Sequence, residues 1–238
     1  MNLLHIMPAR LVCKGLSGFA GLLSALSVMA GSMVLPGGAG IYTVGVTSFR
    51  EAKFKTVYEQ QYDYSCGSAA LASLLTYHYK DEISEQAVFR EMYEQGNQEK
   101  IRKQGFSLLD MKHYAENHGY RADGFRISLD KLSEVGVPAI TLIKKNGYMH
   151  FVLIKGVTDT DVLMGDPSLG IKTVPRREFE SMWQGRVLFI IHNEIVTARK
   201  SFNSEPEWKV TTRAPLDMAL SRESLADFNL MLPARSDF

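Results

Sequence analysis

The chain has 238 residues, of which 45% are hydrophobic, 22% charged and 10% aromatic. This ordinary globular composition excludes a disordered, collagen-like or low-complexity protein, and a chain of this length needs no disulfide or metal to be stable. The formal net charge is +1 at pH 7, so no basic field favours nucleic acid as a partner.

The first forty residues have the pattern of an export signal. Arg10 and Lys14 precede an uncharged stretch, residues 15–35, which is rich in Leu, Ala, Gly and Ser and contains a small-residue cleavage pattern ending at Ala30. We therefore predict a secretory signal peptide in residues 1–40, with transient contact between this signal and the membrane. An uncleaved membrane anchor stays open as an alternative, because about twenty apolar residues can span a bilayer.

The chain contains two cysteines, Cys13 and Cys66. Cleavage of the signal would leave Cys66 alone in the mature protein. A single thiol in an exported protein forms no internal disulfide, so it is inert, intermolecular or a reactive nucleophile.

The segment after the signal begins with helical patterns. Residues 42–57 alternate loosely and predict one or two edge strands, whereas residues 67–79 predict a helix that is buried on most of its circumference. A second helix is expected over 83–94, opened by Asp81 or Ser84.

Further along the chain, residues 96–105 are predicted to form a charged loop that helps to build a specificity pocket. Ser107 and Asp110 have capping-box spacing at the start of a third helix, which Gly119 ends.

Short β-branched runs separated by turn signals make up the second half. They lie at 137–143, 150–157, 161–165, 170–174 and 186–192. Helices followed by a mostly antiparallel sheet predict an α+β fold. We divide the chain into the signal, a folded domain over 41–195, and a polar extension over 196–238 with a short helix over 216–232.

The residues around Cys66 offer what a nucleophilic thiol needs. Cys66 begins the buried helix, where the helix dipole favours the thiolate. Gln60, or with less suitable spacing Gln61, could add its amide to the Cys66 N–H as an oxyanion hole. His150 begins one strand and Asp166 ends the next, so the carboxylate could orient the imidazole.

These residues carry a resemblance. The segments Gln60-Gln61-Tyr-Asp-Tyr-Ser-Cys66-Gly67, Tyr148-Met-His150 and Gly165-Asp166-Pro167 resemble the peptidase C39 family, papain-like cysteine peptidases that remove double-glycine leaders from bacteriocin precursors. The resemblance implies a papain-like fold, with a helical half that carries the cysteine and an antiparallel sheet half that carries the histidine and aspartate. It also implies that Cys66 is the nucleophile, His150 the general base, Asp166 its orienting partner and Gln60 the oxyanion donor, with no metal or cofactor.

The chain departs from the transporter-fused members of that family at two positions. Those members carry Asp before the nucleophile and a second cysteine shortly after it, where this chain has Ser65 and Ala70. The chain is more similar to stand-alone exported proteins encoded beside secretion or functional-amyloid systems in Gram-negative bacteria. This resemblance implies a periplasmic peptidase, with a peptide or protein substrate and components of a secretion or amyloid-export system as partners.

Two other functions stay open. A Cys-His-Asp site equally serves amide transfer, and a catalytically inactive domain of this kind could bind a leader-like peptide during secretion.

Other candidate residues are given structural roles. His78 lies about 18 Å along the helix from Cys66, His113 and His118 point apart and form no metal pair, and Phe179 and Trp183 are expected in the core or a cleft wall.

Overall fold

The computed structural model describes residues 31–37, 40–46, 48–145 and 147–210, the first two ranges as backbone only. Cys13, most of the predicted signal and the helix expected over 216–232 lie outside the described residues. The chain divides into two units, with the boundary between Val46 and Thr47. No helix among the described residues is both long and apolar enough to cross a membrane.

The first unit contains a β-hairpin. Its strands, β1 (Gly31–Gly37) and β2 (Gly40–Val46), pair antiparallel with Gly31 opposite Val46. The hairpin extends on both sides of residue 40, where the sequence analysis ends the signal. The expectation of strands over 42–57 is correct for β2 and wrong beyond it, because Ser48 caps a helix there and accepts a hydrogen bond from the Glu51 N–H.

The second unit contains helices and a sheet. Its helices are α1 (Phe49–Phe54), α2 (Cys66–Leu74), which continues as a π-helical turn over Leu75–Tyr79, α3 (Glu85–Gln95), α4 (Gln98–Gln104), α5 (Leu108–Asn117), α6 (Leu129–Val135), α7 (Arg176–Met182), α8 (Ile195–Arg199) and α9 (Glu205–Val210). Its strands are β3 (Ala122–Phe125), β4 (Ala139–Lys145), β5 (Tyr148–Val157), β6 (Asp161–Asp166), β7 (Gly170–Pro175) and β8 (Trp183–Ile191).

The six strands form one sheet in the order β3-β8-β4-β5-β6-β7, and every neighbouring pair is antiparallel. Helix α2 packs on β5 and β4 near the middle of this sheet. All nine residues of α2 are buried, because Ala, Gly and Ser on most of its faces let neighbouring elements approach closely. The α+β class and the deeply buried helix are therefore confirmed.

The helix boundaries follow local capping. Ser84, rather than Asp81, caps α3 through its hydroxyl, and Ser107 and Asp110 form the expected capping box of α5. The prediction of a loop over 96–105 is wrong, because the Asn97 side chain caps α4 and Ile101 anchors it in the core.

The remaining differences concern short elements. Strand β3 and helices α6 and α7 were not predicted, and β8 begins at Trp183 instead of residue 186. Phe179 and Trp183 are buried in the core, as expected. The described part of the polar extension, residues 196–210, contacts the sheet, where Asn203 exchanges hydrogen bonds with the backbone of Val157.

Candidate active site

Cys66 is the first residue of α2, and its neighbours hold the incoming chain firmly. Its side chain is buried, with 6% of the residue exposed. The Ser65 hydroxyl accepts hydrogen bonds from the Gln61 and Tyr62 N–H groups at 3.1 and 3.0 Å and donates to the Tyr62 carbonyl at 3.0 Å. The Ser65 side chain therefore orders the turn that precedes Cys66.

The first turn of α2 is held from two further directions. The Ser68 hydroxyl lies 2.9 Å from the Ser65 carbonyl oxygen and 2.9 Å from Oε1 of Glu85, which is itself buried. Burial raises the pKa of Glu85 above its ordinary value. On another side Gly67 lies so close to Met111 that a Cβ there would be 2.9 Å from its methyl carbon. Glu85 could not be identified from the sequence, because no pattern of neighbouring residues indicates that this acidic residue of α3 is buried.

His150 and Asp166 meet between neighbouring strands. Strands β5 and β6 pair with Leu153 opposite Gly165, and Nε2 of His150 lies 2.8 Å from Oδ1 of Asp166. Cys66 also interacts with His150, and this interaction contributes to the raised pKa of the imidazole. Because Nε2 of His150 contacts the Asp166 carboxylate, Nδ1 is the ring nitrogen that remains available to the Cys66 sulfur.

The electrostatics of this pair favour an ionised state. Burial disfavours the imidazolium, but hydrogen bonds to Asp166 and Cys66 and the negative charge of both groups outweigh it and raise the pKa of His150 to about 9. Burial likewise opposes the Asp166 carboxylate, yet His150, the Ser168 N–H and Lys172 hold the pKa of Asp166 below its ordinary value. The arrangement therefore stabilises a protonated imidazole between a carboxylate and a sulfur.

Lys172 is a part of the site that sequence reasoning missed. Its Nζ lies 3.4 Å from Oδ2 of Asp166, the oxygen that His150 leaves free. Strand β7 pairs Gly170 with Asp166, so strand alternation brings Lys172 to the same face of the sheet. Alternation and register together could have identified this lysine, but the register was not known from the sequence.

Gln60 is fixed beside the turn that follows Asp166. Its N–H donates to the Pro167 carbonyl at 3.0 Å, and its Oε1 accepts from the Ser168 hydroxyl at 2.9 Å. Its Nε2 donates to the Tyr62 carbonyl at 3.0 Å, which leaves one amide hydrogen free of that bond. The amide of Gln61 lies instead 3.5 Å from the Glu59 carbonyl oxygen. The structure thus brings Gln60, and not Gln61, against the Asp166 turn.

A cleft of about 1030 Å³ opens beside Cys66. One wall is formed by α4 and the start of α5, and the other by β4 and the β4–β5 turn. The residues that line the cleft are Asp63, Tyr64, Cys66, Lys100, Arg102, Lys103, Gln104, Gly105, Phe106, Ser107, Leu108, Leu109, Leu142, Gly147, Tyr148, Met149 and Phe151.

His78, His113 and His118 are not among the residues that line the cleft beside Cys66. His78 is buried with Nδ1 2.6 Å from the Ser201 hydroxyl oxygen. His113 and His118 are exposed, and His118 pairs with Glu91 at 3.0 Å. Within the described part of the chain, no group of three or more His, Cys, Asp or Glu side chains could hold a metal ion.

Comparisons with known proteins identify a family and several relatives of this chain. The model of the peptidase C39 family matches residues 54–195. A probable functional amyloid protease, FapD, of Pseudomonas aeruginosa is 41% identical over 71% of this chain and 74% of its own length. The FapD of Pseudomonas fluorescens is 41% identical over 68% of this chain and 73% of its own.

Among solved structures, a double-glycine-motif protease from an AMS/PCAT transporter in complex with the leader peptide aligns with a TM-score of 0.46. It is 28% identical to this chain, and the alignment covers 56% of this chain and 88% of that one. The family model and the two relatives decide the classification. This chain belongs to the peptidase C39 family of cysteine peptidases.

Proposed function

We propose that this chain is an exported peptidase that hydrolyses a peptide bond in a secreted or periplasmic protein through Cys66, His150, Asp166 and Gln60. The observation that carries the proposal is the contact of 2.8 Å between His150 and Asp166 beside Cys66, in an environment that raises the pKa of His150 to about 9. An imidazolium that persists at neutral pH is the counter-ion that a thiolate nucleophile needs.

In this mechanism the Cys66 thiolate attacks the carbonyl carbon of the scissile bond. The oxyanion forms beside the N–H of Cys66 and the free amide hydrogen of Gln60, which Pro167 and Ser168 hold in place. The His150 imidazolium then gives its proton to the leaving amine, and the acyl group stays on the sulfur as a thioester. Water, deprotonated by the now neutral His150, hydrolyses that thioester and restores the thiolate–imidazolium pair.

The substrate class follows from the named relatives. Two probable functional amyloid proteases match more than two thirds of this chain at 41% identity. We propose that the substrate is a protein of a functional-amyloid or related secretion system, and that other components of that system are partners. The chain carries Ser65 and Ala70 where transporter-fused members carry Asp and Cys, so cleavage after a double glycine is not part of the proposal.

The N-terminal segment is proposed to direct the protein to the periplasm. Cleavage after Ala30 would leave the hairpin complete, because β1 begins at Gly31. Cleavage close to residue 40 would remove β1 and leave β2 without its partner. N-terminal sequencing of the protein purified from the periplasm distinguishes these two sites from an uncleaved anchor.

Alkylation across pH tests the catalytic pair. We expect iodoacetamide to label Cys66 well below pH 7 in the wild-type protein, and the His150→Ala variant to lose this reactivity at acid pH and label like an ordinary thiol. Mass spectrometry of the alkylated peptide measures the rate. Equal profiles with an ordinary thiol midpoint near pH 8.5 in both proteins would contradict an ion pair and favour a binding domain.

The reaction itself needs a second measurement. We expect exported proteins of the same host, incubated with the purified protein, to gain new termini that are absent when the Cys66→Ala variant is used. Mass spectrometry detects these termini. Products that gain about 1 Da, or cross-linked products, would show amide transfer in place of hydrolysis.

A further inference from the structure

The charges along the cleft are strongly one-sided. Three cations from α4, Lys100, Arg102 and Lys103, line it, against one carboxylate, Asp63. The facing wall supplies the exposed apolar side chains of Tyr148 and Met149. The positive charge of the cleft is therefore concentrated on a single helix.

The cations of α4 are not neutralised by the protein itself. Within the described residues, Lys100 and Lys103 form no ion pair, and Arg102 donates only to the neutral hydroxyl of Tyr93 at 3.1 Å. By contrast, Lys131 on α6 pairs with Glu134 at 2.6 Å on the same helix. Helix α4 thus presents charge that is available to a ligand.

This helix is also held in a fixed position next to the nucleophile. The Asn97 side chain caps its start, and the buried Ile101 anchors its middle. Gly105 ends it with a φ of +76°, and a Cβ there would lie 3.4 Å from the Tyr64 carbonyl oxygen, so the end of the helix contacts the segment that leads to Cys66. Lys100 and Lys103 are three residues apart and therefore project from the same side of α4.

We propose that α4 is an acid-recognising subsite, which binds an Asp or Glu side chain of the substrate while its neighbouring apolar residue faces Tyr148 and Met149. The assignment rests on the proposed peptidase function and adds the substrate chemistry to it. Lys100 and Lys103 are exposed and form no ion pair, so the carboxylate of a bound chain supplies the negative charge that they lack in the free protein. The occupant is an extended acidic segment of a polypeptide substrate.

Selection from a random peptide library tests this subsite without turnover. The probe is a library of mRNA-displayed 12-residue peptides, and the bait is the full chain carrying Cys66→Ala. We expect Asp and Glu to be enriched about threefold or more over the input library at one position, next to an enriched apolar position. In the background of Cys66→Ala, the double variant Lys100→Glu/Lys103→Glu should lose this acidic preference and favour Lys and Arg.

A matched control separates the subsite from general charge effects. Arg126→Glu/Lys200→Glu reverses two exposed cations away from the cleft and changes the net charge equally, so it should keep the acidic preference. Circular dichroism and the urea midpoint verify that each bait is folded. An acidic preference that is absent from the parent bait, survives reversal at Lys100 and Lys103, or disappears equally in the control overturns the proposal, as does a selection that enriches no peptide.

Failure of the subsite and failure of the peptidase function give different results. Binding to the Cys66→Ala bait needs no chemistry, so it reports on α4 alone. Failure of the peptidase function would instead appear as an absence of new termini when the protein with Cys66 intact meets exported proteins.

Discussion

Strand β5 carries two basic side chains five residues apart, and each pairs with a carboxylate in a different way. His150, near the start of the strand, contacts Asp166 at 2.8 Å and is partly accessible, with 18% of its side chain exposed. Lys155 is fully buried and contacts Glu207 of α9 at 2.9 Å. The first pair lies between neighbouring strands, whereas the second joins the sheet to the segment after the family domain.

The two basic side chains differ in how many of their nitrogen donors already have partners. Lys155 also donates to the backbone and hydroxyl oxygens of Thr56, at 2.8 and 2.9 Å, so its three donors have partners. His150 is held by Asp166 through Nε2, and this contact does not use the other ring nitrogen, Nδ1. A buried cation whose donors all have partners stabilises the fold, whereas an imidazole with one ring nitrogen outside its ion pair can move a proton.

Changing the carboxylate of each pair to an amide gives the largest expected contrast. Asp166→Asn should reduce turnover about 10²- to 10⁴-fold, because the imidazole loses its orienting partner. It should also lower the pKa of His150 from about 9, so the alkaline limit of activity moves to lower pH. Glu207→Gln should leave turnover per folded molecule within about twofold, since Glu207 lies outside the residues that line the cleft. Turnover of an identified substrate across pH measures both, and equal losses would contradict the division of roles.

Removal of the buried Lys155 ammonium should lower the stability of the fold and should leave catalytic activity unaffected. Lys155→Met leaves the Glu207 carboxylate buried without its partner, and we expect the free energy of unfolding to fall by about 3–5 kcal/mol. The double variant Lys155→Met/Glu207→Leu should recover part of this loss, because no unpaired charge remains. Urea unfolding measures both proteins. A loss below about 1 kcal/mol in Lys155→Met would show that the pair does not hold α9 to the sheet.

His78 predicts a smaller, pH-dependent effect. Burial first, and then the charges of Lys155 and Lys80, lower the pKa of His78 well below its ordinary value of 6.5. Below pH 6.5 the unfolded chain therefore binds a proton at this residue more readily than the folded chain does, and the free energy of unfolding falls as the pH falls. His78→Asn should remove this part of the acid sensitivity. Urea midpoints at pH 7 and pH 5 should differ less in the variant, and an unchanged difference would contradict the assignment.

The smallest effect is expected at Lys172. Its ammonium stabilises the Asp166 carboxylate and repels a nearby imidazolium. Lys172→Met should therefore raise the pKa of His150 and move the alkaline limit of activity to higher pH by less than about one unit. This direction is opposite to that of Asp166→Asn, while Lys172→Arg should keep the wild-type limit. A shift to lower pH in Lys172→Met would show that the lysine acts by positioning the strand.

Much of the fold could be predicted because its signals are local. The Ser107–Asp110 capping box, the Ser84 cap and the β-branched runs of the sheet depend on residues close together in the chain. Helix α4 could not be predicted from hydrophobic periodicity, because Ile101 is the single apolar residue of an otherwise polar segment. Strand β3, with the sequence Ala-Asp-Gly-Phe, has little strand propensity and forms because its backbone pairs with β8.

The candidate site divides in the same way. Cys66, His150, Asp166 and Gln60 could be proposed from the sequence because their spacing and neighbours resemble a family motif. Lys172 and Glu85 could not, since strand register and helix packing bring them to the site from elements with no motif of their own.

What the sequence determined by itself is therefore the set of reactive groups, the α+β class and the family, because these depend on residue identity and short-range spacing. Only the tertiary structure decided how these groups act together. Strand pairing sets which oxygen of Asp166 faces His150 and which faces Lys172. The packing of α4 beside Cys66 turns a charged stretch into a cleft wall, and the Lys155–Glu207 contact makes the segment beyond the family match part of the folded domain. Each of these depends on distances between residues far apart in the chain, which local sequence does not encode.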